Sequence, residues 1–234
     1  FLSIKTIKAL SKLSIFEIGK TLSEVNESIL KEPHMVQFYN RYATYNGSSP
    51  YSTPGIMTVI QHLESHYGTY IPDGGMHSIT KSLYELAKRK GVIFNFKKLV
   101  SEIILEKNKA TGLIVNGKKL SFDNVISNMD IYPTYEKLLP KIRLPRNVKS
   151  QERSSSAVIF YWGVSKIFKN LDLHNVFFSK DYRGEFDSIF IKKNIYDDPT
   201  IYVNITSKEI PKDSPENCEN WFVMVNTCAD NGQN

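Results

Sequence analysis

Cysteine is scarce: Cys218 and Cys228 are the only two in 234 residues, and neither sits in a C-x-x-C or other metal-ligand spacing. That excludes a disulfide scaffold and a cysteine zinc site, and it fits a reducing compartment with two small apolar core fillers. A long apolar run is also missing. Charged residues, mostly lysine, interrupt even the greasiest stretch, residues 1–18, before it reaches the roughly 18–20 residues of a bilayer-crossing helix. A spanning helix is excluded, and peripheral membrane contact is not. With 10 Pro, 12 Gly, 41% hydrophobic and 23% charged residues, wholesale disorder, collagen and coiled coil are excluded as well. No G-x-G-x-x-G, P-loop, G-x-S-x-G or H-E-x-x-H is present, so the chain carries no self-sufficient catalytic signature. It starts at Phe1 with neither an initiator Met nor a secretory pattern and closes on the turn-rich residues 229–234, which reads as a piece of a longer protein.

What is present is an ordered globular text with 30 Lys+Arg against 24 Asp+Glu, a net charge of +6 that favours anionic surfaces without naming one. Residues 1–30 space Leu2, Ile4, Ile7, Leu10 and Leu13 mostly three apart with Lys5, Lys8 and Lys12 between them, predicting one or two amphipathic helices. Such helices pack on their own core or dock on a membrane. Residues 38–51, FYNRYATYNGSSPY, read as a helix end running into a turn, and 58–67 as a short helix. The turn at 72–75 introduces a helix over 76–89, stopped at Gly91 after a basic end. Strands follow at 92–96, 100–105, 110–115 and 118–122, with turns at Asn108 and Asn116-Gly117, and a short buried strand at 125–127. Residues 132–139 read as helical and 140–149 as a basic, proline-interrupted linker. After it, 156–162, 175–178, 201–206 and 221–226 read as aromatic strands, with a helix at 183–192. The division expected from this is 1–71 helical, 72–130 a helix plus β-meander, and 131–234 a lobe with a largely antiparallel sheet.

Isolated chemistry is thin. His62 and His66 stand four apart without an obvious third ligand and read as surface histidines. Ser154, Ser155 and Ser156 read as a polar strand entrance rather than a nucleophile. The basic pairs Lys97-Lys98, Lys118-Lys119 and Lys192-Lys193 are scattered solvated faces, and no nucleic-acid partner is expected.

A set of phrases in one order carries more: RYATYNGSSPY from Arg41, YIPDGGM from Tyr70, VISNMD from Val125, SSSAVIFYWGV from Ser154, LHNVFFSKDYRGEF from Leu173, DPTIYVNITSK from Asp198 and ENWFVMVN from Glu219. Together they resemble the bacterial and fungal type of FAD-dependent phytoene desaturase, the family that includes carotenoid desaturases and hydroxycarotenoid 3,4-desaturases. The resemblance spans essentially the whole chain. It implies an α/β (α+β) class, part of an amine-oxidase-like two-domain flavoprotein, with a portion of a Rossmann-type FAD domain and a mixed-sheet substrate domain. It also implies FAD as cofactor. The glycine-rich βαβ opening that holds the FAD pyrophosphate and the closing flavin-contacting segment are both missing from this stretch, so the chain reads as the middle of such an enzyme and is expected to be inactive alone.

Residue by residue, the resemblance implies cofactor contacts at Gly74, Gly75 and Met76, where bare backbone approaches a ring, at the backbone of Val100, and at Ser127, Asn128 and Asp130. The competing readings are an ordinary turn before a helix for the first set, over which the surrounding phrase favours the cofactor contact, core packing for the second and helix capping for the third. On the substrate side it implies Arg41, Tyr42, Tyr45, Asn46, Ser49 and His174, with Arg41 an orienting charge or a turn-tying hydrogen bonder. Tyr182 and Arg183 are weaker candidates, and Trp221 reads as core. No catalytic base is identified. The implied activity adds a double bond to a long polyene, with an apolar carotenoid as substrate and an anionic membrane surface as peripheral partner on the cytoplasmic face. Alternatives are a related FAD oxidoreductase on another apolar substrate, such as a retinoid saturase-like enzyme, and a non-catalytic lipid- or carotenoid-binding module.

Overall fold

The computed structural model describes residues 17, 19–230 and 232. The expected lysine-studded start therefore lies outside the described residues, apart from Glu17. Two units emerge: residues up to Thr69 together with those from Arg153 onward, and the intervening Tyr70–Glu152. The helices before residue 70 thus share a unit with the C-terminal strands, and residues 131–152 belong with the meander.

In the first unit, α1 (Leu22–Ile29) begins with a reciprocal cap. Thr21 Oγ1 accepts from the Glu24 N–H at 3.2 Å, and Glu24 Oε2 accepts from the Thr21 N–H at 2.7 Å. α2 (Pro33–Asn40) starts on proline, where the missing N–H costs nothing, with the Glu32 carboxylate accepting from the Met35 N–H at 2.8 Å. Buried amides join the two helices: Asn26 Nδ2 donates to Asn40 Oδ1 at 2.9 Å and Asn40 Nδ2 to Ser23 Oγ at 3.0 Å. Helix α2 tightens into a 3-10 turn over Arg41–Asn46 that ends at Gly47. The Gly47 carbonyl then accepts from the Ser155 N–H at 2.7 Å, which docks the serine-rich strand entrance on the aromatic phrase. A further helix, α3 (Val59–Tyr67), presents stacked His62 and His66 rings.

The sheet of this unit contains β4 (Ser156–Val164), β5 (His174–Phe177), β6 (Ile201–Asn204) and β7 (Glu219–Thr227) in the order β4-β7-β6-β5, all pairings antiparallel. One face packs Val203 and Val223 with Ile205, flanked by Leu171, Ile201 and Trp221, so Trp221 is core. Strand β4 lies at the edge with Val158, Ile159, Phe160, Tyr161 and Trp162 all exposed. The buried carboxylate of Glu219 fastens the β4–β5 connection to β7. It accepts from the Phe168 N–H at 2.9 Å and from Trp221 Nε1–H at 2.8 Å, and it pairs with Lys208 Nζ at 2.7 Å. Helix α5 (Tyr182–Asp187) is capped by Asp181 and continues into the wider turn Ser188–Lys192.

The second unit holds α4 (His77–Arg89) and a three-stranded meander, β1 (Val100–Glu106), β2 (Lys109–Val115) and β3 (Lys118–Ser121). Both hairpins turn through paired left-handed residues, Lys107-Asn108 and Asn116-Gly117, the twist that two-residue loops require. The expected strand at 92–96 does not form. Its signal is one of side-chain type, but a strand exists only by pairing, and among the described residues no neighbour offers a ladder. Phe94 and Phe96 instead stack with each other and against Tyr84 of α4, leaving Ile93 83% exposed. The expected buried strand at 125–127 is also absent: this segment is irregular and Ile126 is 94% exposed.

Candidate functional site

Three stacked tyrosines define the site. In a 3-10 turn, side chains three apart eclipse, and as α2 tightens Tyr39, Tyr42 and Tyr45 come into register, with centroids 6.2 and 5.7 Å apart and planes within 16° and 13°. Opposite them stands the second face of the sheet, where strand register aligns Val176, Tyr202 and Met224 across β5, β6 and β7. Between Tyr42 and Tyr45 of this ladder and the sheet lies a crevice of about 440 Å³, lined also by Phe38, Arg41, Thr44, Glu64, Thr69 and His174.

The polar groups of the crevice are few and mutually engaged. Glu64, brought in by α3, accepts from the Tyr42 hydroxyl at 2.7 Å on one oxygen and from the Tyr45 hydroxyl at 2.5 Å on the other. Burial and this carboxylate push the Tyr42 phenol well up, and the Tyr45 phenol up to about 12, so both remain protonated donors at neutral pH. On the sheet side His174 Nδ1 lies 2.8 Å from the Tyr202 hydroxyl, and the Asn204 amide nitrogen, fixed by donating to the Leu173 carbonyl, lies 3.3 Å from the same atom. Burial pushes the Tyr202 phenol up, and the nearby Arg41 charge opposes that shift.

Arg41 is the cation of the crevice, its guanidinium 5.9 Å above the Tyr202 ring. Beside it is the buried Tyr182 hydroxyl, which makes no hydrogen bond of good geometry. Glu185, 2% exposed, accepts from the Thr200 N–H at 2.8 Å and the Thr200 hydroxyl at 2.6 Å, fastening α5 to the start of β6 two residues before Tyr202. Burial raises the Glu185 carboxyl above its ordinary 4.5, against the Thr200 hydrogen bonds and the Arg41 charge. A raised value means that its contribution to stability is full below the unfolded-state value and is lost as pH rises through the folded one. Glu185→Gln, a neutral isostere, is therefore expected to cost under about 1 kcal/mol at pH 8. It should also remove the loss of stability that Glu185 itself causes as pH rises above the ordinary carboxylate range. Urea melts of both proteins at pH 5 and pH 8 check this, and a loss above about 2 kcal/mol at pH 8 contradicts it.

Of the expected substrate-side residues, Arg41, Tyr42, Tyr45 and His174 converge on this crevice. Asn46 and Ser49 do not line it. Asn46 is exposed at the end of the 3-10 turn. Buried Ser49 organises the next turn, its carbonyl accepting from the Thr53 N–H at 2.8 Å and the Thr53 hydroxyl at 2.7 Å. Glu64, Tyr202, Val176 and Met224 complete the lining without having been singled out. Tyr202 and Met224 are legible only once strand register puts them on the same face as His174.

The expected cofactor-side residues all lie in the second unit. Gly74 and Gly75 both adopt positive φ, +81° and +76°, and a side chain at Gly75 would meet nothing within 4 Å, so this turn offers open backbone to a planar ring. Exposed Met76 follows at the start of α4. Val100 opens β1, paired with Val115. Ser127 Oγ lies 3.1 Å from Thr134 Oγ1, Asn128 is exposed, and Asp130 caps the turn Ile131–Pro133 by accepting from the Tyr132 N–H at 2.9 Å. The open Gly75 backbone and the exposed loop at 127–130 fit a share in holding a flavin.

Residues 7–197 match the family described as flavin containing amine oxidoreductase. A 1-hydroxycarotenoid 3,4-desaturase of a Flavobacterium species is 52% identical over 234 residues, all of this chain and 48% of that protein. A 4,4'-diapolycopene oxygenase of a Methylomonas species is 32% identical over 92% of this chain and 44% of its own length. A phytoene desaturase of Fusarium fujikuroi is 36% identical over 77% of this chain and 32% of its own. The chain thus spans about half the length, or less, of these curated relatives. An oxidoreductase from Methanosarcina mazei superposes over 98% of this chain and 53% of its own with a TM-score of 0.64 at 16% identity, so the fold is shared.

Proposed function

Because the chain belongs to the flavin containing amine oxidoreductase family, we propose that it is the central part of an FAD-dependent carotenoid desaturase, which lengthens the conjugation of a long polyene. The observation that carries this reading is the convergence of two phrases far apart in sequence, around Arg41–Tyr45 and around His174, on one aromatic-walled crevice. An apolar chain offers little to hydrogen-bond, so shape and aromatic contact must hold it. Stacked Tyr42 and Tyr45 on one side and Val176 and Met224 on the other supply such a slot.

In this reading the 70–130 stretch contributes to the cofactor side, with Gly74, Gly75 and Met76, the Val100 backbone, and Ser127, Asn128 and Asp130 as holding groups. Bound FAD would supply the hydride acceptor. The chain's own residues orient the polyene, exclude water from it, and place the Arg41 charge beside it. The substrate is reached from a membrane surface on the cytoplasmic face, with the net charge of +6 favouring anionic lipid. Among the described residues no helix is long and apolar enough to cross a membrane.

The test uses the full-length protein. Its visible spectrum is recorded, and then phytoene or a hydroxylated carotenoid is added in liposomes under anaerobic conditions. The expected result is a flavin spectrum that bleaches while a longer polyene absorbs. A protein without flavin, or a flavin that stays oxidised with no new chromophore from either substrate, overturns the reading.

A further inference from the structure

The crevice is not the uniform slot that a pure hydrocarbon calls for. At about 440 Å³ it has the size of a small-ligand site and admits one end of a long polyene rather than its length. Its apolar wall faces a carboxylate whose orientation is fixed: the Tyr42 and Tyr45 hydroxyls each donate to a different oxygen of Glu64. A carboxylate has about four acceptor positions, so two remain open. Neither phenolic proton can serve a ligand, since both are committed to Glu64. A methyl-terminated chain end would cover those open positions and leave them unpaired, whereas a hydroxyl-bearing end satisfies one of them.

We propose that this crevice is the end-group subsite, that it selects polyenes ending in a hydroxyl group, and that Glu64, oriented by Tyr42 and Tyr45, is the specificity-determining acceptor of that hydroxyl. This rests on the desaturase reading above. Arg41 borders the same space with guanidinium donors for the hydroxyl oxygen, and His174 lines it as well. Selectivity of this type comes from the partner left unpaired when the hydroxyl is missing.

The full-length protein is compared on a polyene with one hydroxylated end and on the corresponding hydrocarbon, following both desaturation and equilibrium binding by the shift of polyene absorption. The wild type is expected to favour the hydroxylated chain by roughly tenfold to a hundredfold, the value of one hydrogen bond to a charged acceptor. Glu64→Gln should weaken binding of the hydroxylated chain by most of that factor and bring the two chains close to equal. Tyr45→Phe, at an exposed ring, should remove part of it without threatening the fold. An equal loss on both chains, or a wild type with no preference, overturns the proposal. If the wild type binds the hydroxylated chain selectively through Glu64 but desaturates neither, the desaturase reading falls and the end-group subsite stands.

Discussion

Glu219→Ala is expected to lower the stability of the protein by about 3–5 kcal/mol, the range found when one partner of a buried ion pair is removed. The carboxylate is 3% exposed and has three engagements: the Lys208 ammonium, the Trp221 indole N–H and the Phe168 backbone N–H. Alanine removes the acceptor from all three, and it leaves Lys208, only 17% exposed, with its charge uncompensated and the Phe168 carbonyl at 2.6 Å as its remaining partner. Replacing both Lys208 and Glu219 with apolar residues of similar volume should recover part of the loss, because no isolated charge then stays buried. The effect depends on pH in the direction opposite to that of Glu185. Burial works to raise the Glu219 carboxyl, but Lys208, Trp221 and Phe168 overcome it and hold the group below 4.5. Its contribution is therefore present above the unfolded-state value and fades as pH falls through the folded one. Denaturant titrations of wild type and variant should converge in acid. A difference under about 1 kcal/mol at neutral pH would show that the triad contributes no more than an exposed pair.

The second large effect is expected at Gly112, in the middle of β2. A Cβ there would collide with the Leu120 carbonyl oxygen of β3, which is backbone and cannot rotate away. Relief requires the strands to part, and Gly112→Ala should cost roughly 3 kcal/mol, the upper end of ordinary overpacking. Gly163 in β4 is the control: nothing lies within 4 Å of its Cβ position, so Gly163→Ala should stay within about 0.5 kcal/mol. If thermal or urea melts rank the two substitutions the other way, the close approach of β2 and β3 is not tight enough to exclude a side chain.

Local grammar was readable wherever neighbouring residues decide the outcome. The Asn116-Gly117 hairpin, the helix ending at Arg89 and Gly91, and the aromatic strands at 156, 175, 201 and 221 all follow from turn chemistry and alternation. Residues 92–96 and 125–127 carry apolar strand letters, but pairing is non-local and no ladder reaches them among the described residues. The division into units was hidden for a similar reason, since nothing in residues 21–67 states that these helices pack with strands more than a hundred residues later. At the site, Arg41, Tyr42, Tyr45 and His174 were found through their phrases. Glu64 sits in HLESH, where the histidines drew the eye, and only the 3-10 turn that aims Tyr42 and Tyr45 at it shows its place. Ser49, four residues past the ladder's last tyrosine, faces inward and ties a turn instead, an orientation that sequence spacing does not encode.

The strand order β4-β7-β6-β5 also sets a timetable for synthesis. Among the described residues strand β4 hydrogen-bonds only to β7, and β7 is made after β4, β5 and β6. At about 5–20 residues per second a ribosome needs several seconds to pass from one to the other. During that interval Ile159, Phe160, Tyr161 and Trp162 leave the exit tunnel with no ladder to join. The meander β1–β2–β3, built from adjacent strands, meets no such delay, as expected of low contact order. The nascent chain therefore carries one finished module and one waiting aromatic ribbon, and it is in that window that a holdase chaperone has most to protect.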